Sequence, residues 1–318
     1  MADTVFTLNT GAKIPALGFG EHFLSAEESI VLTYSGTWQS KPGEVERAVE
    51  YALLNGYRHI DAAYSYGNEE EVGVGLRKAF EAGLKREDVF VTTKLWSTHH
   101  NRVQENLEMS LRKLGLDYVD LYLMHWPVAM NPNGNHPLFP VTPDGSRDVD
   151  FSRRHVDTYL DMEKLAHTGK VKTIGVANYS TMYLEELLAS TSIVPAVNQI
   201  ENHPLLPQDD VLDFCKARNI HITAYSPLGS TGSPLLSLPV VEQISAKHGV
   251  SRASILLSYH RNSVLAKSVT ASRIKANRHI IKLDSEDTNA LAKESLGGSL
   301  RRFVDPQWKV NLGFPDKQ

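Results

Sequence analysis

Four titratable side chains stand where predicted strands end. Asp61, Lys94 and His125 each lie at or near the end of a run rich in β-forming residues, and Tyr66 follows Asp61 by five residues. Taken singly, each has an ordinary explanation as a helix cap, a surface charge, a packed ring or a loop aromatic. Because the carboxyl ends of parallel strands meet at one edge of a sheet or barrel, four such groups at corresponding positions indicate a common site.

This set of residues suits acid–base chemistry on a carbonyl group. A tyrosine hydroxyl titrates near pH ~10, so Tyr66 needs a neighbouring cation to exchange protons at neutral pH. Lys94 can provide that cation, and Asp61 can hold the Lys94 ammonium by ion pairing. A neutral His125 can orient a carbonyl oxygen. The four residues therefore predict a proton donor with an electrophilic clamp, as carbonyl reduction requires, but they contain no source of hydride.

The elements that position these residues alternate regularly along the chain. Amphipathic helical stretches, with apolar residues at i, i+3 and i+4, separate short β-rich runs, and several of them stop at Gly or Asn. Strands that alternate with helices predict a parallel sheet. The predicted strands cover residues 17–20, 59–63, 89–95, 119–126, 173–179, 196–202, 221–227 and 263–269.

Eight such units in 318 residues suit a closed (β/α)₈ barrel of the TIM type. Residues 5–17 predict a β-hairpin with Asn9-Thr10-Gly11 at its turn, placed to plug the bottom of the barrel. A doubly wound open sheet is the alternative, since pattern alone does not show closure. No linker or shift in composition divides the chain, so residues 1–318 are expected to form one domain.

The composition is that of a globular protein, with 42% hydrophobic residues, 22% charged residues and a net charge of −4. The chain has no excess of basic residues, so its charge does not indicate nucleic acid as a partner. No apolar run approaches the ~20 residues that span a bilayer, and the N-terminus has no apolar signal core. The single Cys215 fits a reducing compartment. We therefore expect a cytoplasmic monomer or homodimer that binds neither nucleic acid nor membrane.

The chain resembles the aldo-keto reductase superfamily over nearly its whole length, from LNTGAKIPALGFG to NLGFPDK. The resemblance is carried by GYRHIDAAYSYGNEEEVG, TTKLW, LYLMHWP, GVANYS, VNQIENHP, AYSPLGS and LAKSVTASRIKAN. It implies a barrel that reduces aldehydes and ketones with NADPH. Tyr66 would be the general acid, Lys94 and Asp61 the pair that tunes it, and His125 the residue that orients the carbonyl. Fungal NADP-dependent glycerol dehydrogenases and glyceraldehyde or xylose-type reductases are the most similar types, which implies small hydroxylated aldehydes as substrates.

The resemblance also implies which residues contact the cofactor. Asn178 and Gln199 would hold the nicotinamide carboxamide, and Tyr225 would stack on the nicotinamide ring. A lysine with a guanidinium fork suits a concentrated anion such as a 2′-phosphate, which favours NADPH over NADH. The further contacts are Thr37 and Trp38 after the first strand, Ser226, Leu228 and Ser230 along the pyrophosphate, Lys267, Ser268 and Arg273 at the 2′-phosphate, and Asn277 at the adenine.

The substrate pocket is expected to have aromatic walls. Trp38, Trp96 and Trp126 resemble those of the family, and the loop 127–147 and the tail 303–318 would complete the pocket. An aromatic-aldehyde or ketone reductase is an alternative. So is a non-catalytic or weakly active NADPH-binding barrel with a regulatory role, as in the potassium-channel β-subunit proteins. The histidines show no metal-ligand spacing, so no metal is predicted.

Residues 21–36 interrupt this resemblance. Joining Gly20 directly to Thr37 would restore an ordinary family segment, GFGTWQS. A lid over the barrel mouth is one explanation, because Ser25-Ala26-Glu27-Glu28 has the pattern of a capping box. A retained intron or gene-model artefact is the favoured one, because the ends of the segment can be encoded with splice donor and acceptor sequences. The connection between residues 260 and 264 is also about three residues shorter than the resemblance implies.

Overall fold

The structure is a computed structural model that describes residues 2–20, 43–230, 233–296 and 299–317. The atypical segment 21–36 and the predicted cofactor and substrate residues Thr37 and Trp38 lie outside the described residues.

Eight parallel strands form a closed barrel. The sheet closes because Ser263–Ala266 pairs with His221–Tyr225 on one side and with Leu17–Gly20 on the other. All eight predicted strands are present, so the barrel is confirmed and the open sheet is wrong. The barrel strands are β3 (Leu17–Gly20), β4 (His59–Asp61), β5 (Phe90–Leu95), β6 (Val119–Met124), β7 (Val171–Ala177), β8 (Val197–Glu201), β9 (His221–Tyr225) and β10 (Ser263–Ala266).

Helices surround the barrel, and their sequences explain where they lie. In the helix Val103–Leu114, for example, Val103, Leu107, Leu111 and Leu114 form one buried face, and Gly115 caps the helix in the left-handed conformation with φ 65°. The described helices are α1 (Glu44–Leu54), α2 (Glu69–Glu81), α3 (Val103–Leu114), α4 (His155–Leu165), α5 (Thr181–Leu188), α6 (Asp209–Lys216), α7 (Pro239–His248), α8 (Arg252–Ser258), α9 (Ala271–Ala276) and α10 (Ser285–Ala292). Among the described residues, no helix is long and apolar enough to cross a bilayer.

The predicted N-terminal hairpin closes the end of the barrel where the strands begin. Its strands β1 (Val5–Thr7) and β2 (Lys13–Pro15) pair antiparallel. Leu8 and Ile14 are buried in one cluster with Phe90 and Val197, the first residues of β5 and β8. This burial fixes the hairpin as the bottom plug and leaves the carboxyl ends of the strands as the other mouth.

Gly73 and Gly75 serve helix packing. A Cβ at Gly73 would lie 2.6 Å from the carbonyl oxygen of Leu114 at the end of α3, and one at Gly75 would lie 2.7 Å from the carbonyl oxygen of Glu46 in α1. Only glycine lets the backbone of α2 approach both neighbours this closely. The pair therefore belongs to the packing of the helix layer.

Candidate active site

The barrel brings the four predicted acid–base residues together at the carboxyl ends of neighbouring strands. Asp61 is the last residue of β4, Lys94 lies near the end of β5, His125 follows β6, and Tyr66 ends a 3₁₀ turn after β4. Lys94 Nζ donates to Asp61 Oδ1 at 2.5 Å, to the carbonyl oxygen of Ala62 at 2.9 Å and to Tyr66 Oη at 3.2 Å. An ammonium has three donors, so these three partners fix its orientation.

The ion pair beneath Tyr66 is fully withdrawn from solvent. The side chains of Lys94 and Asp61 are 0% and 1% exposed. Burial lowers the pKa of Lys94, and the Asp61 carboxylate opposes that shift. Because the ammonium is hydrogen-bonded to the Tyr66 hydroxyl, it stabilises negative charge on that oxygen and so makes the hydroxyl a better proton donor. Tyr66 itself is half-buried, which leaves it within reach of a ligand at the barrel mouth.

His125 stands beside the tyrosine. Its backbone N–H donates to Leu95 at 3.1 Å, and its ring lies edge-on to Tyr66 with 5.7 Å between centroids. His125 Nδ1 lies 3.3 Å from Ser65 Oγ. When the Ser65 hydroxyl donates to Nδ1, the ring proton resides on Nε2, the tautomer that can donate to a carbonyl oxygen.

Two predicted cofactor residues are hydrogen-bonded to this cluster, and a third is hydrogen-bonded to one of those two. Gln199 Nε2 donates to Asp61 Oδ2 at 2.7 Å, and Asn178 Nδ2 donates to the carbonyl oxygen of His125 at 2.9 Å. Tyr225 Oη donates to Asn178 Oδ1 at 2.7 Å. The strand register explains the convergence, since Ala177 on β7 pairs with Gln199 on β8, and Glu201 on β8 pairs with Tyr225 on β9.

The residues around this cluster fit a dinucleotide with a 2′-phosphate. The buried side-chain amides of Asn178 and Gln199 and the phenol ring of Tyr225 suit an aromatic carboxamide. Lys267, on the loop after β10, and Arg273, on α9, are exposed cations that suit a phosphate. The remaining predicted residues range from buried to exposed. Ser268 and Asn277 are buried, Ser226 and Leu228 are half-buried, and Ser230 is exposed.

Aromatic rings extend from the cluster toward the surface. The ring of Trp96 lies 5.2 Å from that of His125, and Trp96 Nε1 donates to the carbonyl oxygen of Leu138 at 2.7 Å. Phe139, from the loop after β6, lies 5.3 Å from Trp96, and Trp308, from the tail, lies 5.2 Å from Trp126. The sequence pointed to Trp96, Trp126, the loop and the tail, but it gave no reason to single out Trp308.

Two other features lie away from this cluster. A cleft of about 810 Å³ near the hairpin is lined by Arg261 and Asn262 of the short connection before β10, and by no residue of the acid–base cluster. Elsewhere, His248, Asp284 and Asp287 place potential metal ligands within 4.8 Å of one another. Lys247 Nζ already donates to both carboxylates at 2.8 Å, so the lysine ammonium offsets the negative charge of Asp284 and Asp287.

The chain is similar to known proteins over most of its length. The profile of the Aldo/keto reductase family matches residues 31–294. A D-galacturonate reductase of Hypocrea jecorina is 55% identical, with 100% of both chains covered, in an alignment of 327 positions. That alignment is longer than the 318 residues of this chain, so the relative has residues where this chain has none.

Two further comparisons extend the similarity. A glycerol 2-dehydrogenase (NADP(+)) of Saccharomyces cerevisiae is 44% identical, covering 96% of this chain and 95% of that protein. The solved aldose reductase of Schistosoma japonicum superposes with a TM-score of 0.82 at 38% identity, covering 92% of each chain.

Proposed function

The chain belongs to the aldo/keto reductase family, and from that premise we propose that Asp61, Tyr66, Lys94 and His125 are its catalytic residues. The protein is an NADP-dependent oxidoreductase that reduces aldehydes or ketones. One observation carries the assignment of the residues: the buried Lys94 ammonium holds Asp61 and Tyr66 Oη at once. A lysine with an ordinary structural role would need no half-exposed tyrosine as its third partner.

NADPH, when bound, supplies the hydride that reduces the carbonyl carbon. Asn178 and Gln199 would hold its carboxamide, and Tyr225 would contact its ring. The hydrogen bonds of Asn178 and Gln199 to the acid–base cluster, and that of Tyr225 to Asn178, support this assignment. The remaining cofactor contacts in this proposal are Thr37, Trp38, Ser226, Leu228, Ser230, Lys267, Ser268, Arg273 and Asn277.

Tyr66 would donate its hydroxyl proton to the carbonyl oxygen as that oxygen gains negative charge. The Lys94 ammonium stabilises the tyrosinate left behind, and Asp61 keeps the ammonium charged. His125 Nε2 would hold the carbonyl oxygen in line with the tyrosine hydroxyl. Solvent returns the proton to Tyr66 after the alcohol leaves.

We further propose that the substrates are small polyhydroxylated aldehydes, including uronic acids. The two relatives with the names D-galacturonate reductase and glycerol 2-dehydrogenase support this range. Trp96 and Trp126 give an apolar wall that suits a short carbon chain, and Ser65 adds a polar group beside His125. An aromatic-aldehyde reductase would show the reverse preference in a substrate series.

The experiment is an assay of NADPH oxidation with DL-glyceraldehyde, D-galacturonate and a benzaldehyde, repeated with NADH. We expect turnover of the first two substrates and a strong preference for NADPH. If no aldehyde-dependent oxidation of NADPH is found, a non-catalytic NADPH-binding barrel is favoured. A fluorescence titration with NADPH would then test whether the protein binds the cofactor.

Cofactor preference gives a sharper prediction at Arg273. The Arg273→Ala variant is expected to have a KM for NADPH at least tenfold higher, which corresponds to a loss of about 1.4 kcal/mol of binding free energy. Its kinetics with NADH should be nearly unchanged. The reason is that only the 2′-phosphate loses a partner. Lys275→Ala, another exposed cation on α9, is the matched control and should behave as the wild type. Equal effects on both cofactors would contradict the assignment.

The compartment and assembly complete the proposal. We place the enzyme in the cytoplasm as a monomer or homodimer built from one barrel domain over residues 1–318. The single Cys215, which is buried, supports a reducing compartment. Size-exclusion chromatography with light scattering measures the assembly, and cell fractionation measures the compartment.

A further inference from the structure

Residues 302–316 form a loop that is closed at its two ends by one ion pair; we call it the tail loop. Arg302 Nε donates to Asp316 Oδ2 at 2.8 Å, and Arg302 Nη2 donates to Asp316 Oδ1 at 2.7 Å. The two side chains are only 7% and 13% exposed. This bidentate arrangement fixes geometry as well as charge, and the guanidinium also lies over the Phe314 ring at 4.2 Å.

A buried carboxylate ties the start of the tail loop to the barrel. Glu201 is the last residue of β8 and is 0% exposed. It accepts hydrogen bonds from the backbone N–H groups of Phe303 at 2.7 Å and Val304 at 2.8 Å, and it lies 2.9 Å from His203 Nε2. A buried charge is costly unless it is paired and hydrogen-bonded, so these bonds fix the start of the tail loop to the end of β8.

The middle of the tail loop reaches the aromatic wall. Trp308 is 6% exposed, and its ring lies 5.2 Å from Trp126 and 6.4 Å from Trp96, edge-on to both. Trp96 in turn lies 5.2 Å from the ring of His125. The chain therefore leads from the attachment at Glu201 to Trp308, and ring contacts lead from Trp308 through Trp96 to His125.

Glu201 also shares its strand with Gln199. Two residues along a strand point to the same side, so the side chain that anchors the tail loop lies next to the one that contacts Asp61. Arg302 Nη2 also donates to Gln208 Oε1 at 3.2 Å, so the ion pair that closes the tail loop is joined to the segment between β8 and α6.

We propose that Glu201 and the Arg302–Asp316 pair are positioning residues for substrate selection, which hold Trp308 in the substrate pocket. This inference rests on the proposed function. Loops carry specificity when a rigid scaffold fixes them, and here the scaffold consists of an end-to-end ion pair and a buried carboxylate at the barrel rim. Loss of either should weaken the binding of aldehyde and leave cofactor binding and the proton transfer intact.

The test is a kinetic comparison of Asp316→Asn with the wild type. We expect the KM for DL-glyceraldehyde and D-galacturonate to rise about tenfold, equivalent to about 1.4 kcal/mol of substrate binding. The kcat and the Kd for NADPH should stay within about twofold, because a loss confined to substrate binding appears in KM. Glu242→Gln, which removes a carboxylate from the exposed Arg252–Glu242 pair, is the control and should leave all constants unchanged.

A double-variant cycle separates this role from general destabilisation. If the ion pair acts through Trp308, the effects of Asp316→Asn and Trp308→Ala on KM will not add. Once the Trp308 ring is absent, loss of the ion pair has no ring left to displace. Arg302→Lys, which keeps the charge but loses the fork, should fall between the wild type and Asp316→Asn. Glu201→Gln tests the attachment, and Asp316→Asn remains informative where Glu201→Gln does not fold.

Unchanged KM in Asp316→Asn, additive effects, or an equal loss of NADPH affinity would each overturn the inference. A wild type that reduces aldehydes, together with such a result, contradicts this inference alone. If the wild type reduces no aldehyde, the proposed function fails, and trypsin cleavage after the exposed Lys309 still measures the tail loop. Faster cleavage in Asp316→Asn supports the clamp, and equal rates contradict it.

Discussion

At the scale of single residues, Lys94 defines what the candidate site can do. Its side chain is 0% exposed, and its ammonium donates to a carboxylate, a backbone carbonyl and a phenol. A buried ammonium is costly without a counter-ion, so Asp61 is needed for Lys94 to remain charged. The charged pair then acts on the one partner that reaches the mouth, which is Tyr66.

Tyr66→Phe is expected to reduce kcat by about 10²–10⁴-fold, the usual contribution of general acid catalysis. The Kd for NADPH should stay the same, because the hydroxyl proton is needed for reduction and not for binding the cofactor. Steady-state kinetics and fluorescence titration measure the two quantities.

Tyr64→Phe is the matched control, since Tyr64 lies in the same 3₁₀ turn but is buried and has Lys113 over its ring at 4.8 Å. It should retain nearly full activity. A Tyr66→Phe enzyme within a fewfold of the wild type would remove this tyrosine from the mechanism.

At the scale of elements, α2 shows how closely the helix layer is packed. Gly75→Ala should destabilise the protein by about 1–3 kcal/mol, as overpacking does, although alanine would favour an exposed helix interior by about 1 kcal/mol. The added Cβ would meet the backbone of α1 at 2.7 Å, and backbone cannot move aside as a flexible side chain can. Urea unfolding monitored by circular dichroism measures the change.

Arg77→Ala provides the comparison on the same helix, because the Arg77 side chain is 65% exposed. It should change stability by less than about 0.5 kcal/mol, as surface substitutions usually do. Equal stability of Gly75→Ala and the wild type would show that α1 and α2 are not in such close contact.

The segment 21–36 gives a second prediction at this scale, one that rests on the sequence because these residues lie outside the described part of the chain. Its deletion joins Gly20, the last residue of β3, to Thr37. We expect a variant at least as stable as the full chain, with equal or higher kcat/KM, since ordering extra residues costs roughly 1–2 kcal/mol each in backbone entropy. Thermal unfolding and glyceraldehyde kinetics, measured on the full chain and on the deletion variant, test this expectation. A lower thermal midpoint together with a lower kcat/KM in the variant would indicate a functional lid instead.

At the scale of the whole molecule, buried histidines couple stability to pH. Burial lowers the pKa of His59 and His99 to about 4 and that of His100 to about 3. Unfolded histidine titrates near 6.5, so between pH ~6.5 and ~4 the unfolded chain binds more protons than the native protein. Stability should therefore fall as pH decreases through that window, by as much as about 3 kcal/mol for each histidine.

His100 isolates this effect, because neither of its ring nitrogens has a hydrogen-bond partner among the described residues and it is 1% exposed. His100→Leu should raise the thermal midpoint relative to the wild type, and more at pH 5 than at pH 7.5. Calorimetry at both pH values measures the difference. A pH-independent difference would show that His100 does not contribute to the acid loss of stability.

The sequence by itself determined the alternation of strands and helices, the N-terminal hairpin, and the place of Asp61, Tyr66, Lys94 and His125 at or near strand ends. These follow from local properties: the alternation of strand and helix patterns, the turn residues, and the place of each side chain at a strand end. Parallel strands bring their ends together whatever the loops contain, so the cluster could be predicted without coordinates.

Only the tertiary structure decided that the strands close into a barrel and how distant segments meet at its mouth. Gln199 and Asp61 are 138 positions apart, and their hydrogen bond depends on how the strands are staggered when the barrel closes. The attachment of the tail loop to Glu201 and the place of Trp308 beside Trp126 are also products of closure. No local pattern encodes such contacts, because their free energy is realised only once the strands around them have packed.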